Sequence, residues 1–335
     1  MRFDDLTAMT DLPVRLSGLP AFDDASAQAA QARQMELTKP PGSLGRLEEL
    51  AIFMAGWQRT ARPRIDAAQA LVFAGNHGIC ARGVNPFPQE VTAGMVTNFN
   101  AGGAAINQLC AVSGASLTAV PLELDRPTAD FTEGAAMSDA DALAAMDVGR
   151  AAVDTGASVL ILGEMGIGNS TTAAALAHAT LGGAAEDWVG RGTGADTDVM
   201  ARKVETARLG VERHGGQPPL HAIANVGGRE LAAIVGAVLA ARAARIPVIL
   251  DGFICTAAVL PLWAHDPDLL SHCLVAHRSA EPGHARMLEA IGQRPILDLG
   301  MALGEGSGAA VALGVLRAAV ACHGGMATFA EAGLR

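Results

Sequence analysis

From about residue 67 onward, short apolar runs end in glycine-rich turns and lead into alanine-rich stretches. The clearest are ALVFAGNHG (70–78), SVLILGEMGIGNS (158–170), IPVILDG (246–252) and RPILDLGMALGEGSG (294–308). The first three open on nearly unbroken apolar runs, which predicts parallel strands covered on both faces. Strand, glycine turn and helix recurring along the chain indicate βαβ units of a doubly wound α/β sheet. Ligands of such sheets sit beyond the carboxyl ends of the strands, where these glycine turns lie.

The first sixty residues follow a different pattern. Residues 22–38 (FDDASAQAAQARQMELT) read as a polar, Ala/Gln-rich helix whose Asp pair favours its start. Pro40 and Pro41 break it. A second helix is expected over Arg46 to Arg59, with Leu47, Leu50, Ala51 and Met54 on one face. No low-complexity linker separates this region from the rest, so it is expected to pack on the α/β body, joined by a C-terminal helix around Ala309 to Ala321.

Composition narrows the function. The chain has 335 residues and a net charge of −10, from 24 Lys+Arg against 34 Asp+Glu. No basic stripe is visible, and Tyr is absent, which argues against phosphate-backbone binding and base stacking on nucleic acid. The five cysteines are widely spaced without a C-x-x-C pair, favouring reduced thiols over a disulfide framework. The N-terminus has no apolar signal core, and ALVFAG and the run Leu231 to Ala241 are too short to span a bilayer. A cytoplasmic protein that engages neither nucleic acid nor membrane is the expectation.

Two loops carry similar chemistry. Gly163-Glu164-Met165-Gly166-Ile167-Gly168-Asn169 and Leu303-Gly304-Glu305-Gly306-Ser307-Gly308 each place a carboxylate in a glycine-rich loop at a predicted helix N-terminus. Free amides there can approach an anionic ligand closely, and an ionised Glu in a water-poor cleft is a candidate general base. The bland alternative is a glycine turn with an exposed helix-start Glu. Gly163 to Gly168 has the spacing of a P-loop, but Asn169 stands where Lys is required, and no G-x-G-x-x-G is present. Phe87, between two prolines, is a candidate cover for a flat ligand, with Gln89 beside it as a hydrogen-bonding group. Val189-Gly190-Arg191-Gly192-Thr193-Gly194 is a flexible turn with one cation, and Lys203, on pattern alone, belongs to a solvated helix face. His272, Cys273, His277 and His284 match no zinc spacing, and RSAEPGH (278–284) reads better as a polar binding loop than as a metal cage. No nucleophile elbow is present.

Taken in order, KPPGSLGRLEELA (39–51), FAGNHG, NFNAGGAAIN (98–107), GEMGIGNST, VGRGTG, ILDGFI, AHRSAEPGH and LGEGSGAA make the chain resemble the nicotinate-nucleotide–dimethylbenzimidazole phosphoribosyltransferases over almost its whole length. The resemblance implies transfer of 5-phosphoribose from nicotinate mononucleotide to 5,6-dimethylbenzimidazole, without a cofactor or metal. It implies Glu305 as general base, Leu303 and Gln89 near the base pocket, and Glu164, Gly166 and Gly168 facing the ribose phosphate. Lys203 falls where the family has a functional Lys, and Ser279 on the polar loop near the phosphate. Asn169, Gly192, Thr193, Gly304 and Gly306 complete the expected substrate loops, with Glu164 a second catalytic candidate. The resemblance further implies a Rossmann-like, three-layer large domain (65–304), a smaller helical domain from 1–64 with about 305–335, and a homodimer.

Three other readings stand beside it. One is a homologue built for another lower-ligand base, adenine or a phenol. A non-catalytic sensor would bind nicotinate mononucleotide without turnover. An NAD- or ATP-using enzyme would need a dinucleotide fingerprint or a P-loop Lys.

Overall fold

A computed structural model of the chain describes residues 2–3, 5–192 and 194–334. Five strands form one sheet: β1 (Ala68–Ala74), β2 (Ala115–Pro121), β3 (Val159–Met165), β4 (Val248–Leu250) and β5 (Cys273–Val275). All pairings are parallel, in the order β2-β1-β3-β4-β5. The chain moves outward from β1 to β2, then returns to the other side of β1 with β3. The sheet therefore has a switch point between β1 and β3, where a crevice opens at the carboxyl ends.

Successive residues on the inner strands are buried on opposite faces, which explains their unbroken apolar runs. Leu71, Phe73, Leu160, Leu162, Val248 and Leu250 belong to one core, with the helices Asp139–Ala152, Asn169–Leu181, Arg229–Ala243 and Phe253–His265. Ala70, Val72, Val159, Ile161, Ile249 and Leu274 belong to the other, with Arg46–Gln58, Ala105–Ser113 and Ser307–Gly325. Three layers result.

Both predicted N-terminal helices are present, as Asp24–Glu36 and Arg46–Gln58. Asp23 caps the first by accepting from the Ser26 N–H at 3.2 Å. The two chain ends meet: Arg33 Nε donates to the His323 carbonyl at 2.9 Å, and Leu37 bridges to Thr328. Ser307–Gly325 is long and apolar enough to cross a membrane. It is instead a core helix, for Ala309, Ala312, Leu313 and Leu316 are buried against the sheet. Arg317 donates to the carbonyls of Ser113, Ile65 and Gly114, holding the helix to the β1 and β2 entries.

Two expectations change. RPILDLG is not a regular strand: it is extended, with a single parallel bridge from Leu297 to His277 at the sheet margin. The strands β2 and β5 have no counterpart among the predicted runs. β2 is an edge strand alternating half-buried and exposed positions, and β5 contributes only three residues.

The helices Asp139–Ala152 and Arg229–Ala243 touch backbone to backbone. A Cβ on Gly149 would lie 1.8 Å from the Ala233 carbonyl oxygen, and one on Gly236 would lie 1.8 Å from that of Met146. Neither contact can be relieved by turning a side chain. We expect Gly236→Ala to cost about 1–3 kcal/mol through forced helix separation, read as a lowered midpoint in urea.

Candidate active site

The crevice at the carboxyl ends of β1, β3 and β4 opens into a cleft of about 910 Å³ counting its open mouth. Its floor is an acidic cluster. Glu164 is the penultimate residue of β3, Asp251 follows β4, and Glu305 precedes the helix Ser307–Gly325; all three are buried.

Glu305 stands in a loop of three successive left-handed residues, with φ of 85° at Gly304, 62° at Glu305 and 83° at Gly306. The flanking glycines accept this freely, whereas a residue with a side chain is held there at a cost of about 1–2 kcal/mol. Such strain persists only where surrounding contacts impose it, and two are evident. Asp251 Oδ2 accepts from the Gly306 N–H at 3.1 Å and Oδ1 from the Ala309 N–H at 2.9 Å. Gly163 of β3 also admits the loop, since a Cβ there would lie 2.4 Å from the Gly306 nitrogen. Held this way, Glu305 leaves Oε2 buried without a hydrogen-bond partner. Burial pushes its carboxyl above the usual range.

Glu164 accepts from Asn169 Nδ2, and its Oε1 lies against Gly304. Burial, with Asp251 and Glu230 nearby, pushes its carboxyl up to about 8, while Asn169 opposes the shift. Burial raises Asp251 to about 7, with Glu305 adding to the shift and the Ala309, Gly306 and Gly308 amides opposing it.

On the opposite wall Lys203 is buried at 2% exposure, not solvated as its helical pattern suggests. Nζ donates to the Gly190 carbonyl at 2.6 Å and to Ser170 Oγ at 3.1 Å. Burial lowers its pKa and Glu281 works against that. Glu281 accepts from the Gly192 N–H at 2.9 Å, and its own N–H donates to Ser279 Oγ. The GRG turn, Lys203 and the polar loop are thus one hydrogen-bonded wall.

Of the residues anticipated from sequence, Phe87, Glu164, Gly166, Gly168, Asn169, Gly192, Lys203, Ser279, Leu303, Gly304 and Glu305 line the cleft. Phe87 and Leu303 line the cleft while 46% and 52% exposed, which suits them to gripping a ring at the mouth. Gln89 is set back from the lining, donating through Nε2 to the His77 carbonyl at 2.6 Å. Gly306 serves through its N–H to Asp251. Thr193 lies outside the described residues.

Sequence reasoning did not single out Asp251, His277 or Ser170 as site residues, and held Glu281 only as a member of the polar loop 278–284. Asp251 was visible only as the polar residue closing ILDG. The clustered histidines have separate tasks. His272 Nε2 contacts the Val238 carbonyl at 3.0 Å. His284 Nδ1 accepts from the Ser279 N–H at 2.9 Å, which leaves Nε2–H for Thr256 Oγ1. Burial lowers His284 to about 3, so it is a neutral strut.

A family model described as "Phosphoribosyltransferase" matches residues 19–334. The nicotinate-nucleotide–dimethylbenzimidazole phosphoribosyltransferase of Rhodobacter capsulatus is 59% identical over 329 residues, covering 98% of each chain. The enzyme of that name from Ruegeria pomeroyi is 55% identical over 98% of this chain and 99% of its own. The chain belongs to this family. The crystal structure of CobT from Thermus thermophilus is similar at a TM-score of 0.87 and 41% identity, over 93% of this chain and 99% of that one. Family membership therefore covers the full α/β body and both of its glycine-rich carboxylate loops.

Because Glu164 binds its proton more tightly folded than unfolded, it favours the folded state below its ordinary value of 4.5 and loses that contribution as pH rises to about 8. We expect native thermal stability to fall across that window, and Glu164→Gln to flatten the fall, as read by calorimetry at a series of pH values.

Proposed function

We propose that this chain carries out the phosphoribosyl transfer its relatives are named for, in this form: 5-phosphoribose passes from nicotinate mononucleotide to 5,6-dimethylbenzimidazole, giving α-ribazole 5′-phosphate and nicotinate. The observation that carries the reading is Glu305, a buried carboxylate with an unpartnered oxygen, facing a cleft that also holds Lys203 and Arg191. Nicotinate in the mononucleotide is a pyridinium, so the C–N bond breaks with the electron pair leaving on the ring nitrogen. One benzimidazole nitrogen attacks the anomeric carbon from the opposite face and inverts it, which gives the α-linkage. Glu305 takes the proton from the other nitrogen.

What remains for the protein is placement. The mouth pair Phe87 and Leu303 holds the benzimidazole, its flat apolar faces matching their exposed side chains. The Gly166–Asn169 loop at the start of Asn169–Leu181, with Lys203, Gly192 and Ser279, takes the phosphoribosyl group. Glu164 keeps the second carboxyl beside Glu305 and anchors Asn169. Anionic carboxylates on the floor suit the positive charge that develops on the ribose as the pyridinium departs. The chemistry is a displacement without redox change and calls for no cofactor. We take the working unit to be a cytoplasmic homodimer, as the family resemblance implies.

We expect Glu305→Gln to lower kcat for dimethylbenzimidazole-dependent nicotinate release by about 10²–10⁴-fold, with mononucleotide binding retained in calorimetric titration. Tight mononucleotide binding with no release by the native chain would favour a sensor, and full activity of the variant would move the base to Glu164. Phe87→Ala is expected to raise the KM for dimethylbenzimidazole by about 2- to 12-fold, the equivalent of roughly 0.5–1.5 kcal/mol of ring contact, leaving that for the mononucleotide unchanged.

A further inference from the structure

Asp251 is 1% exposed and sits on a different element from Glu305, just past the end of β4. Its two oxygens divide between two amides of the catalytic loop and the helix it opens: Oδ2 takes the Gly306 N–H at 3.1 Å, Oδ1 the Ala309 N–H at 2.9 Å. The residue just before Gly306 is Glu305, in the left-handed conformation with φ of 62°. Helices usually cap themselves with the residue at their own start. Here the residue in that place is Gly306, with no side chain, and the cap is supplied from the end of β4 instead.

We propose that Asp251 is the positioning residue of this enzyme: by clamping the amides of Gly306 and Ala309 it holds Glu305 in its left-handed conformation and sets where the Glu305 carboxyl points. The inference rests on the reading of Glu305 as the base. Asp251 touches no substrate in this scheme; it acts through the loop. His277 Nε2 lies 3.8 Å from Oδ1, and its ring packs on Gly308, where a Cβ would lie 2.1 Å from Cδ2. His277, Asp251 and Gly163 thus enclose the start of the helix on three sides.

An amide side chain cannot substitute. Asn offers one acceptor oxygen, and its NH₂ would face a backbone N–H, donor against donor. The ionisable groups facing Asp251 are Glu305 from the loop, Glu164 from β3, His277 after β5 and Cys255 from Phe253–His265. Of these, Glu305 adds to the upward shift of Asp251, whereas the shift of Glu305 itself comes from burial.

The test compares native enzyme with Asp251→Asn and Asp251→Glu, measuring nicotinate release and hydrogen exchange at the amides of Gly306 and Ala309. For Asp251→Asn we expect kcat to fall by about 10²-fold, the scale of a catalytic group misplaced by an ångström, with the KM for nicotinate mononucleotide changed less than about threefold. Both amides should exchange faster. Asp251→Glu, which keeps two acceptor oxygens, should lose less rate than Asp251→Asn. Native kcat in Asp251→Asn, or a lost rate with amide exchange unmoved, overturns the proposal. Should the variants not fold, the native enzyme decides: the Gly306 and Ala309 amide resonances should shift together as a single carboxyl titrates, and static resonances overturn the clamp. The amide measurements do not depend on Glu305 being the base, so failure of the clamp and failure of the base assignment read differently.

Discussion

The contact on which the site depends is the meeting of β3, β4 and the start of Ser307–Gly325. There a glycine, an aspartate and two backbone amides occupy the space of one turn. Gly163 lets the Gly306 nitrogen approach within a distance no Cβ would allow. Asp251 then satisfies amides that would otherwise be buried and unpaired, each at a cost of about 1–3 kcal/mol. Those two conditions hold Glu305 in an unfavourable backbone conformation, and the unfavourable conformation turns its carboxyl into the cleft.

The acidic floor and the opposite wall are electrostatically matched. Glu164, Asp251 and Glu305 are all displaced toward the neutral form by burial, and Lys203 is displaced the same way by the same cause. An empty cleft therefore tends to hold less charge than its composition suggests. A ligand with an anionic group near Lys203 and a cationic centre near the carboxylates restores the charged forms on both sides. A nucleotide with a pyridinium ring has both features.

The parallel sheet explains why these parts converge. Its switch point lies between β1 and β3, so the β3 loop enters at the crevice itself, and the β4 and Glu305 loops lie on one side of it. The apolar runs of the inner strands were legible because both faces are buried, and the glycine turns because they end strands at the ligand side. β2 was not legible, since an edge strand with one wet face alternates like a surface loop. RPILDLG looked like a strand because it is apolar and ends in glycine, but it lies past the sheet margin with one bridge only.

The sequence by itself determined the α/β architecture and the two glycine–carboxylate loops. It also determined, through the order of its motifs, the family and the class of reaction. These are properties of local pattern: period, glycine spacing and residue type within a few positions. Tertiary structure alone decided that Lys203 is buried, that Gln89 is turned to a backbone carbonyl, and that Asp251 serves an amide 55 residues further on. Each of those depends on which distant backbone group comes within hydrogen-bonding reach, and that distance exists only once the sheet order brings β3, β4 and the last helix together.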